Sequence, residues 1–274
     1  MKQIYRMGLS LLISLLALTQ TGTSVRGQDL EEKGKSGPTE GVPKRRSFDD
    51  IKMLAAKSGY IEISRSDPDK NGYPDAVLIN FAHSPKYWNL GSKMLSAMLK
   101  QGDAFYPEGF DDNLDAHIAA TAKKYGLTDE FGKWVYGMKK NLSSHPYHKF
   151  CVQLKADSKA TLVGVDDGAV GAYQTVIGRH YRAAATKAVA AKFYRQFISM
   201  SRERTDTIAE GVESNIDKSP GQDYVYFGGI HLGLVLHERG PVLPEKLNEA
   251  GKSFQVISHP ELEKIIKADR DRRK

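Results

Sequence analysis

Residues 75–81 read Asp-Ala-Val-Leu-Ile-Asn-Phe, and this stretch decides the expected fold class. A mostly apolar run of this length is typical of a strand that is covered on both faces, as in a parallel sheet flanked by helices. Further strand-like runs occupy residues 60–64, 104–106, 160–165, 224–227 and 254–257. Helical segments separate most of them, so the sequence predicts one α/β domain with a largely parallel or mixed sheet and helices on both faces.

Helix signals mark the segments between these strands. Ser47 precedes Phe48-Asp49-Asp50, so we expect it to cap a helix whose first turn holds the two acids. The other predicted helices cover residues 87–100, 114–125, 129–139 and 182–214. The segment over residues 182–214 is unusually long, so the sequence allows either one continuous helix or a helix broken near Ser201.

The first 27 residues have the pattern of a secretory signal peptide. Lys2 and Arg6 precede an apolar run over residues 9–18, which is too short to span a bilayer as a helix. Val25-Arg26-Gly27 offers small residues for cleavage. The sequence therefore predicts export to a periplasmic or extracellular location, with a retained membrane anchor as the alternative.

Composition divides the remaining chain into a linker and a domain. Residues 28–46 are charged, contain Gly and Pro, and predict a flexible linker before a folded domain over residues 47–274. Cys151 is the only cysteine, which excludes a disulfide bond within the chain.

The charge of the chain is mildly basic. The formal net charge is +7, and the leader carries Lys2, Arg6 and Arg26 without an acid, which leaves +4 on the rest. This excess fits association with an anionic surface such as a membrane. The basic residues are scattered along the sequence and no aromatic-rich recognition motif accompanies them, so a nucleic-acid partner is not expected.

Polar residues follow four of the predicted strands at corresponding places: His83, Glu108, Asp166 and His231. Because the carboxyl ends of parallel strands lie along one edge of a sheet, we expect these side chains to converge there. Right-handed crossovers between consecutive strands further predict that His83 lies beside Glu108. Two imidazoles and a carboxylate suit a divalent metal or an acid–base pair, so His83, Glu108 and His231 form the predicted site. A loop histidine, or a helix cap for Asp166, is the ordinary alternative for each residue alone.

Four short motifs around these residues occur in a fixed order. Residues 79–83 (INFAH) and 228–231 (GGIH) are similar to two GxxH motifs that follow strands. Residues 105–110 (FYPEGF) hold Glu108, and residues 202–205 (RERT) hold Arg204 on a late predicted helix. This order resembles the superfamily that joins TraB/GumN proteins, TIKI proteases, ChaN-like haem-binding proteins and erythromycin-esterase-like hydrolases.

The resemblance implies a hydrolytic site for a small-molecule or peptide substrate. His83 and His231 would bind a metal (Mn, Co or Zn) or move protons, and Glu108 would bind the metal or activate water. Arg204 would hold a carboxylate or stabilise an oxyanion, with a surface ion pair as its ordinary alternative. Gly228-Gly229 of the second motif would lie beside the cofactor.

Two positions depart from the superfamily pattern. Asn80 stands where the first motif has glycine, and Phe81 stands where esterase-like and ChaN-like members have glutamate. Three hypotheses therefore remain: an exported hydrolase of esters or amides, a non-enzymatic haem or iron binder, and a secreted domain that has lost activity. In the second, His83, His231 or Tyr87 would be axial ligands of the haem.

Two weaker motifs have simple alternatives. Oxygen donors recur at positions one, three, five and nine of a calcium-loop pattern, at Asp67, Asp69, Asn71 and Asp75. Position twelve is Leu78 instead of glutamate, and a turn at Asn71-Gly72 explains the same residues. Pro146 predicts a loop around His145 and His148, with surface histidines in place of metal ligands.

Overall fold

The computed structural model describes residues 45–81, 85–216, 218–228, 231–232 and 242–273. His83 and Gly229 lie outside the described residues, as do the predicted leader and most of the predicted linker. The side chain of Tyr87 also lies outside them, although its backbone belongs to a helix. What the sequence predicts for these residues stays a prediction.

Helices and strands alternate along the described chain. The strands are β1 (Ile61–Ser66), β2 (Ala76–Phe81), β3 (Ala104–Pro107), β4 (Thr161–Leu162), β5 (Asp223–Gly228) and β6 (Phe254–Ser258). The helices are α1 (Phe48–Lys57), α2 (Pro85–Met98), α3 (Leu114–Tyr125), α4 (Glu130–Ser143), α5 (Pro146–Ser158), α6 (Gly168–Ala183), α7 (Lys187–Asn215), α8 (Leu243–Glu249) and α9 (Pro260–Arg273). None of the described helices combines the length and apolar character that crossing a bilayer requires.

The strands form one mixed sheet in the order β1-β6-β2-β5-β3-β4. β1 is antiparallel to β6 at one edge, and every other pair of neighbours is parallel. All residues of β2 and β5 are buried, as expected for central strands covered on both faces. The predicted α/β class, with a mixed sheet and helices around it, is confirmed.

Two apolar layers hold the helices against the sheet. Val77 and Ile79 belong to the core that includes residues of α1, α2 and α5. Leu78 belongs to the opposite core, which includes residues of α7 and α8. Because successive side chains of a strand point to opposite faces, the uninterrupted apolar run of β2 fills both layers.

Two helix boundaries differ from the predictions. The predicted loop around Pro146 was wrong: α5 begins at this proline, and the His145 side chain accepts a hydrogen bond from the Tyr147 N–H at 3.2 Å. Proline suits the first helical position because its missing N–H would have no partner there. The start of the predicted helix over residues 182–214 was also wrong, since the chain turns at residues 184–186 and α7 begins at Lys187. The break that was left open near Ser201 does not occur, because α7 runs through this residue.

The described part of the chain includes the last two residues of the predicted linker, Arg45 and Arg46. Arg45 Nη1 lies 2.9 Å from Asp75 Oδ1. Arg46 Nη1 donates a hydrogen bond to the Tyr224 hydroxyl and lies 3.6 Å from Asp103 Oδ2. These contacts attach the end of the predicted linker to the amino edge of the sheet.

Close packing at Gly91 gives a first testable prediction. A Cβ at this position would overlap the Tyr226 hydroxyl and lie 2.9 Å from its Cζ, and the Tyr226 ring is buried against Phe81 at 4.3 Å between centroids. We expect Gly91→Ala to lower the free energy of unfolding by about 1–3 kcal/mol, because the ring must move. Gly137 in α4 has nothing within 4 Å of such a Cβ. Gly137→Ala should therefore raise stability by up to about 1 kcal/mol, and a urea titration that finds the same sign for both variants contradicts the prediction.

Candidate active site

Four charged or titratable side chains meet at the carboxyl edge of the sheet. Glu108 follows β3, Asp166 lies beyond β4, His231 follows β5 and Arg204 comes from α7. Glu108, Asp166 and His231 are 5%, 0% and 3% exposed. The structure thus brings three of the predicted site residues, Glu108, Arg204 and His231, into one buried group with Asp166.

The expected neighbourhood of His83 needs a correction. The sequence predicted that β2 and β3 lie side by side, but β5 lies between them. The helical connection from β2 to β3 is long enough to pass over one strand position in the sheet. The fully buried β5 occupies that position, between β2 and β3. Glu108 therefore lies beside the strand that leads to His231, and the part of His83 in this site stays a prediction.

Both carboxylate oxygens of Glu108 accept hydrogen bonds. Oε2 accepts from the Gly228 backbone N–H at 2.8 Å, so the first glycine of the second motif binds this carboxylate directly. Oε1 accepts from Arg204 Nη2 at 3.1 Å. The two donors come from β5 and α7 and hold the carboxylate in one orientation.

Asp166 orients Arg204 from the opposite side. Arg204 Nε donates to Asp166 Oδ1 at 2.6 Å, and Arg204 Nη2 donates to Oδ2, a bidentate pair. Burial by itself lowers the pKa of Arg204, but the charges of Asp166 and Glu108 outweigh it, so this pKa is raised. The helix cap expected for Asp166 is supplied instead by Asp167, whose Oδ1 accepts from the Val170 N–H at 2.8 Å.

The Thr205 hydroxyl contacts the ring of His231 and orients it. The Thr205 hydroxyl donates to the Ser201 carbonyl oxygen at 2.8 Å and lies 2.9 Å from His231 Nδ1. With its one hydrogen on the Ser201 carbonyl oxygen, the hydroxyl would accept from an Nδ1–H group, which is the tautomer that leaves the lone pair on Nε2. His231 Nε2 lies 3.6 Å from Glu108 Oε1.

Glu108 and His231 do not fit a divalent metal well. The Arg204 guanidinium already lies 3.1 Å from Glu108 Oε1, the same carboxylate oxygen that lies 3.6 Å from His231 Nε2. A divalent cation on the same carboxylate would be repelled by Arg204 by about 8 kcal/mol at 4 Å under the dielectric of a partly buried pair, twice the value for two unit charges. The described residues therefore favour acid–base chemistry over the predicted metal.

A second polar group lies at the N-terminus of α6. It consists of Asp111, His117 and Asp167, whose ligand atoms lie within 4.8 Å of one another, and it could hold a metal ion. His117 Nδ1 lies 3.0 and 2.9 Å from the two Asp111 oxygens, a spacing that suits two ligands of one ion with bonds of about 2 Å. Asp111 also accepts from the Gly168 N–H at 2.8 Å, so this group stabilises the start of α6 as well.

The charge of His117 gives a pH-dependent prediction. The hydrogen bond to Asp111 raises the pKa of His117 above its ordinary 6.5, against the lowering effect of burial. A raised folded pKa means that the contact stabilises the protein below the unfolded pKa and that this stabilisation is lost as the pH rises through the folded pKa. His117→Gln should cost about 1 kcal/mol near pH 6 and less near pH 9 in urea unfolding, whereas the exposed His180→Gln should cost little at either. An equal loss for His117→Gln at both pH values would refute this assignment.

The candidate calcium loop contains a turn. The Asp67 carboxylate accepts from the backbone N–H groups of Asn71 and Gly72 at 3.2 and 3.1 Å. Asp75 accepts from the Ser253 N–H at 2.8 Å and so binds outside the loop. The described contacts follow the alternative of an Asn-Gly turn and give the calcium hypothesis no support.

No family model, curated protein or solved structure matches the chain. The resemblance to the TraB/GumN, TIKI, ChaN-like and erythromycin-esterase-like superfamily therefore stays a prediction from short motifs. Three of its residues nevertheless meet at Glu108, whose Oε1 lies 3.1 Å from Arg204 Nη2 and 3.6 Å from His231 Nε2.

Sequence reasoning missed Thr205, Asp111 and His117. Thr205 directly follows Arg204 in the quoted RERT segment, but no spacing rule connects it to His231, which is 26 residues away. Asp111 and His117 are six residues apart across the start of α3. The only sequence signal for the group of Asp111, His117 and Asp167 was the pair of acids, Asp111 and Asp112, that directly follows residues 105–110.

Proposed function

We propose that the chain is a hydrolase of esters or amides that uses Glu108 and His231 as an acid–base pair without a resident metal. The observation that carries this proposal is the position of His231 Nε2, which lies 3.6 Å from Glu108 Oε1 in the buried group that also contains Arg204. The superfamily resemblance supports the same reaction class and the same residues.

The chemistry follows from these positions. His231 Nε2 takes a proton from the attacking water, and the imidazolium formed is stabilised by the adjacent Glu108 carboxylate. The same Nε2 then returns the proton to the leaving oxygen or nitrogen. Arg204 Nη1 makes no hydrogen bond among the described residues, which leaves it as a donor for the oxyanion while Nε and Nη2 stay on Asp166 and Glu108.

The haem alternative finds no support in His231. Its side chain is 4% exposed, so a porphyrin, which is far larger than a water molecule, has little access to the ring. An axial ligand needs a ring nitrogen that is free to approach the iron. The other candidate ligands, His83 and the Tyr87 side chain, lie outside the described residues.

Hydrolysis of model substrates tests the proposal. We would follow p-nitrophenyl acetate, p-nitrophenyl butyrate and N-acetylalanine p-nitroanilide with the wild type, His231→Ala and the exposed control His180→Ala. We expect at least one substrate to be hydrolysed, about a hundredfold or greater loss in kcat/KM for His231→Ala, no loss for the control and no effect of a chelator.

Other results would identify the alternatives. Activity that a chelator removes and Mn, Co or Zn restores would replace the metal-free mechanism by a metal-dependent one. A Soret band on haem titration that is lost in His231→Ala would favour the haem binder. A chain that shows none of these activities is the degenerate domain.

The tautomer of His231 provides a test that does not require a substrate. In the wild type, ¹⁵N chemical shifts of the ring should report an Nδ1–H tautomer at neutral or higher pH, because Thr205 accepts from that nitrogen. Thr205→Val should mix the tautomers and lower kcat about tenfold with little change in KM. Thr207→Val removes a comparable hydroxyl that bonds to the Glu203 carbonyl on the same helix, and it should change neither property. A wild-type Nε2–H tautomer would contradict the assignment.

A further inference from the structure

The hairpin formed by α6 and α7 concentrates positive charge at one end. From Gly168 to Arg202 the sequence contains no Asp or Glu. Five of its Lys and Arg side chains are exposed and lie near the turn between the helices, at Arg179, Arg182, Lys187, Lys192 and Arg195. Arg195 lies only eight residues into α7, so the α7 cations fall within about 12 Å along the helix axis. Charges that appear scattered in the linear sequence are therefore gathered in the fold.

These cations are not neutralised within the described part of the chain. None of the five forms an ion pair with a described residue. Lys187 lies at the first position of α7, and the first turn of this helix has no acid. A cation at a helix N-terminus opposes the helix dipole, so local stability does not explain this charge.

The same end of the hairpin also exposes apolar surface. Val189 is 42% exposed, and Ala183, Ala185, Ala188 and Ala191 around it are exposed as well. The aromatic rings nearby lie in pairs: the exposed His180 stacks on the partly buried Phe193 at 5.3 Å between centroids, and Tyr181 packs against Tyr194 at 5.8 Å. The exposed surface thus combines Lys and Arg with small apolar groups and offers no free aromatic platform for a nucleic-acid base.

We propose that this hairpin end, residues 179–195, binds the surface of an anionic lipid bilayer. Lys and Arg near such a surface are attracted to the lipid phosphates, and Val189 with the alanines enters the headgroup region. The group with Glu108 and His231 meets α7 at Arg204, which lies nine residues, or about 14 Å along the helix axis, beyond Arg195. The proposal does not rest on the hydrolase hypothesis, because it uses none of the site residues.

Vesicle binding by the full chain tests this proposal. The probes are vesicles of phosphatidylcholine alone and vesicles with about one-third phosphatidylglycerol, at low and high salt. The hairpin variant is Lys187→Gln, Lys192→Gln and Arg195→Gln together. Its matched control is Lys52→Gln, Lys57→Gln and Lys155→Gln, three exposed cations on α1 and α5. Any contribution of the apolar leader is common to all chains.

We expect the wild type and the control to bind the anionic vesicles more tightly than the neutral ones, with binding weakened by salt. Each Lys or Arg contributes about fivefold to partitioning, so the hairpin variant should bind at least about tenfold more weakly. In a Val189→Trp variant, the emission added by the new tryptophan should shift to shorter wavelength with anionic vesicles. Circular dichroism melts confirm that each variant is folded.

Three outcomes would overturn the proposal. Equal losses in the hairpin and control variants would show that only net charge matters. Equal binding of the wild type to neutral and anionic vesicles would remove the role of the lipid charge. Binding to a DNA or RNA duplex in place of the vesicles, lost in the hairpin variant, would assign the surface to nucleic acid.

Discussion

Replacing Arg204 by alanine should lower the free energy of unfolding by about 3–5 kcal/mol near neutral pH. Arg204 lies between Asp166, which is 0% exposed, and Glu108, which is 5% exposed. Its removal leaves two buried carboxylates facing each other without a cation. Uncompensated buried charge is one of the few causes of a loss this large.

Two measurements separate this cause from a simple loss of packing. Arg204→Lys keeps a cation between the two carboxylates, so its deficit in urea unfolding should be smaller than that of Arg204→Ala. Arg195→Ala truncates an exposed arginine of the same helix and should change stability by less than about 0.5 kcal/mol. A deficit below about 1 kcal/mol, or an equal deficit for Arg204→Lys, would show that Arg204 does not neutralise this site.

Glu108→Gln should lower kcat by about a hundredfold to ten-thousandfold while the protein stays folded. Glutamine keeps the shape of the side chain but cannot stabilise an imidazolium on His231, whose Nε2 lies 3.6 Å from Glu108 Oε1. One amide oxygen also cannot replace both carboxylate oxygens, which accept from Gly228 and Arg204. We therefore expect a stability loss of about 1–2 kcal/mol beside the loss of activity.

The control for this substitution is Glu130→Gln. Glu130 is an exposed carboxylate, 74% exposed in its side chain, and its pairing with Lys133 is confined to the helix surface. The control should change neither kcat nor the melting temperature. A Glu108→Gln variant that keeps most of its kcat on a substrate found with the model panel would remove Glu108 from the mechanism.

The local features of the fold were open to prediction. The apolar run of residues 75–81 predicted a central strand, and β2 is buried throughout. Ser47 was predicted to cap the first helix, and its Oγ accepts from the Asp50 N–H at 3.2 Å. Such features depend on neighbours in the chain, so the residue types and their spacing carry the information.

The strand order and the ends of several helices were not predictable in the same way. The position of β5 between β2 and β3 depends on which buried surfaces fit together across more than a hundred residues. The proline that predicted a loop instead begins α5, because the first turn of a helix does not need its missing N–H. The turn between α6 and α7 falls in an alanine-rich stretch with no glycine or proline to mark it.

The sequence by itself determined which residues follow the strands, and therefore that Glu108 and His231 would be on the same edge of a parallel sheet. Only the tertiary structure decided their partners: Arg204 with Asp166, Thr205 with His231, and Gly228 with Glu108. The residues that follow each strand can be identified from the local spacing of strands and helices along the sequence. The match of a donor to an acceptor depends on how α7 packs across the sheet, and residues far apart in the chain meet only after that packing is complete.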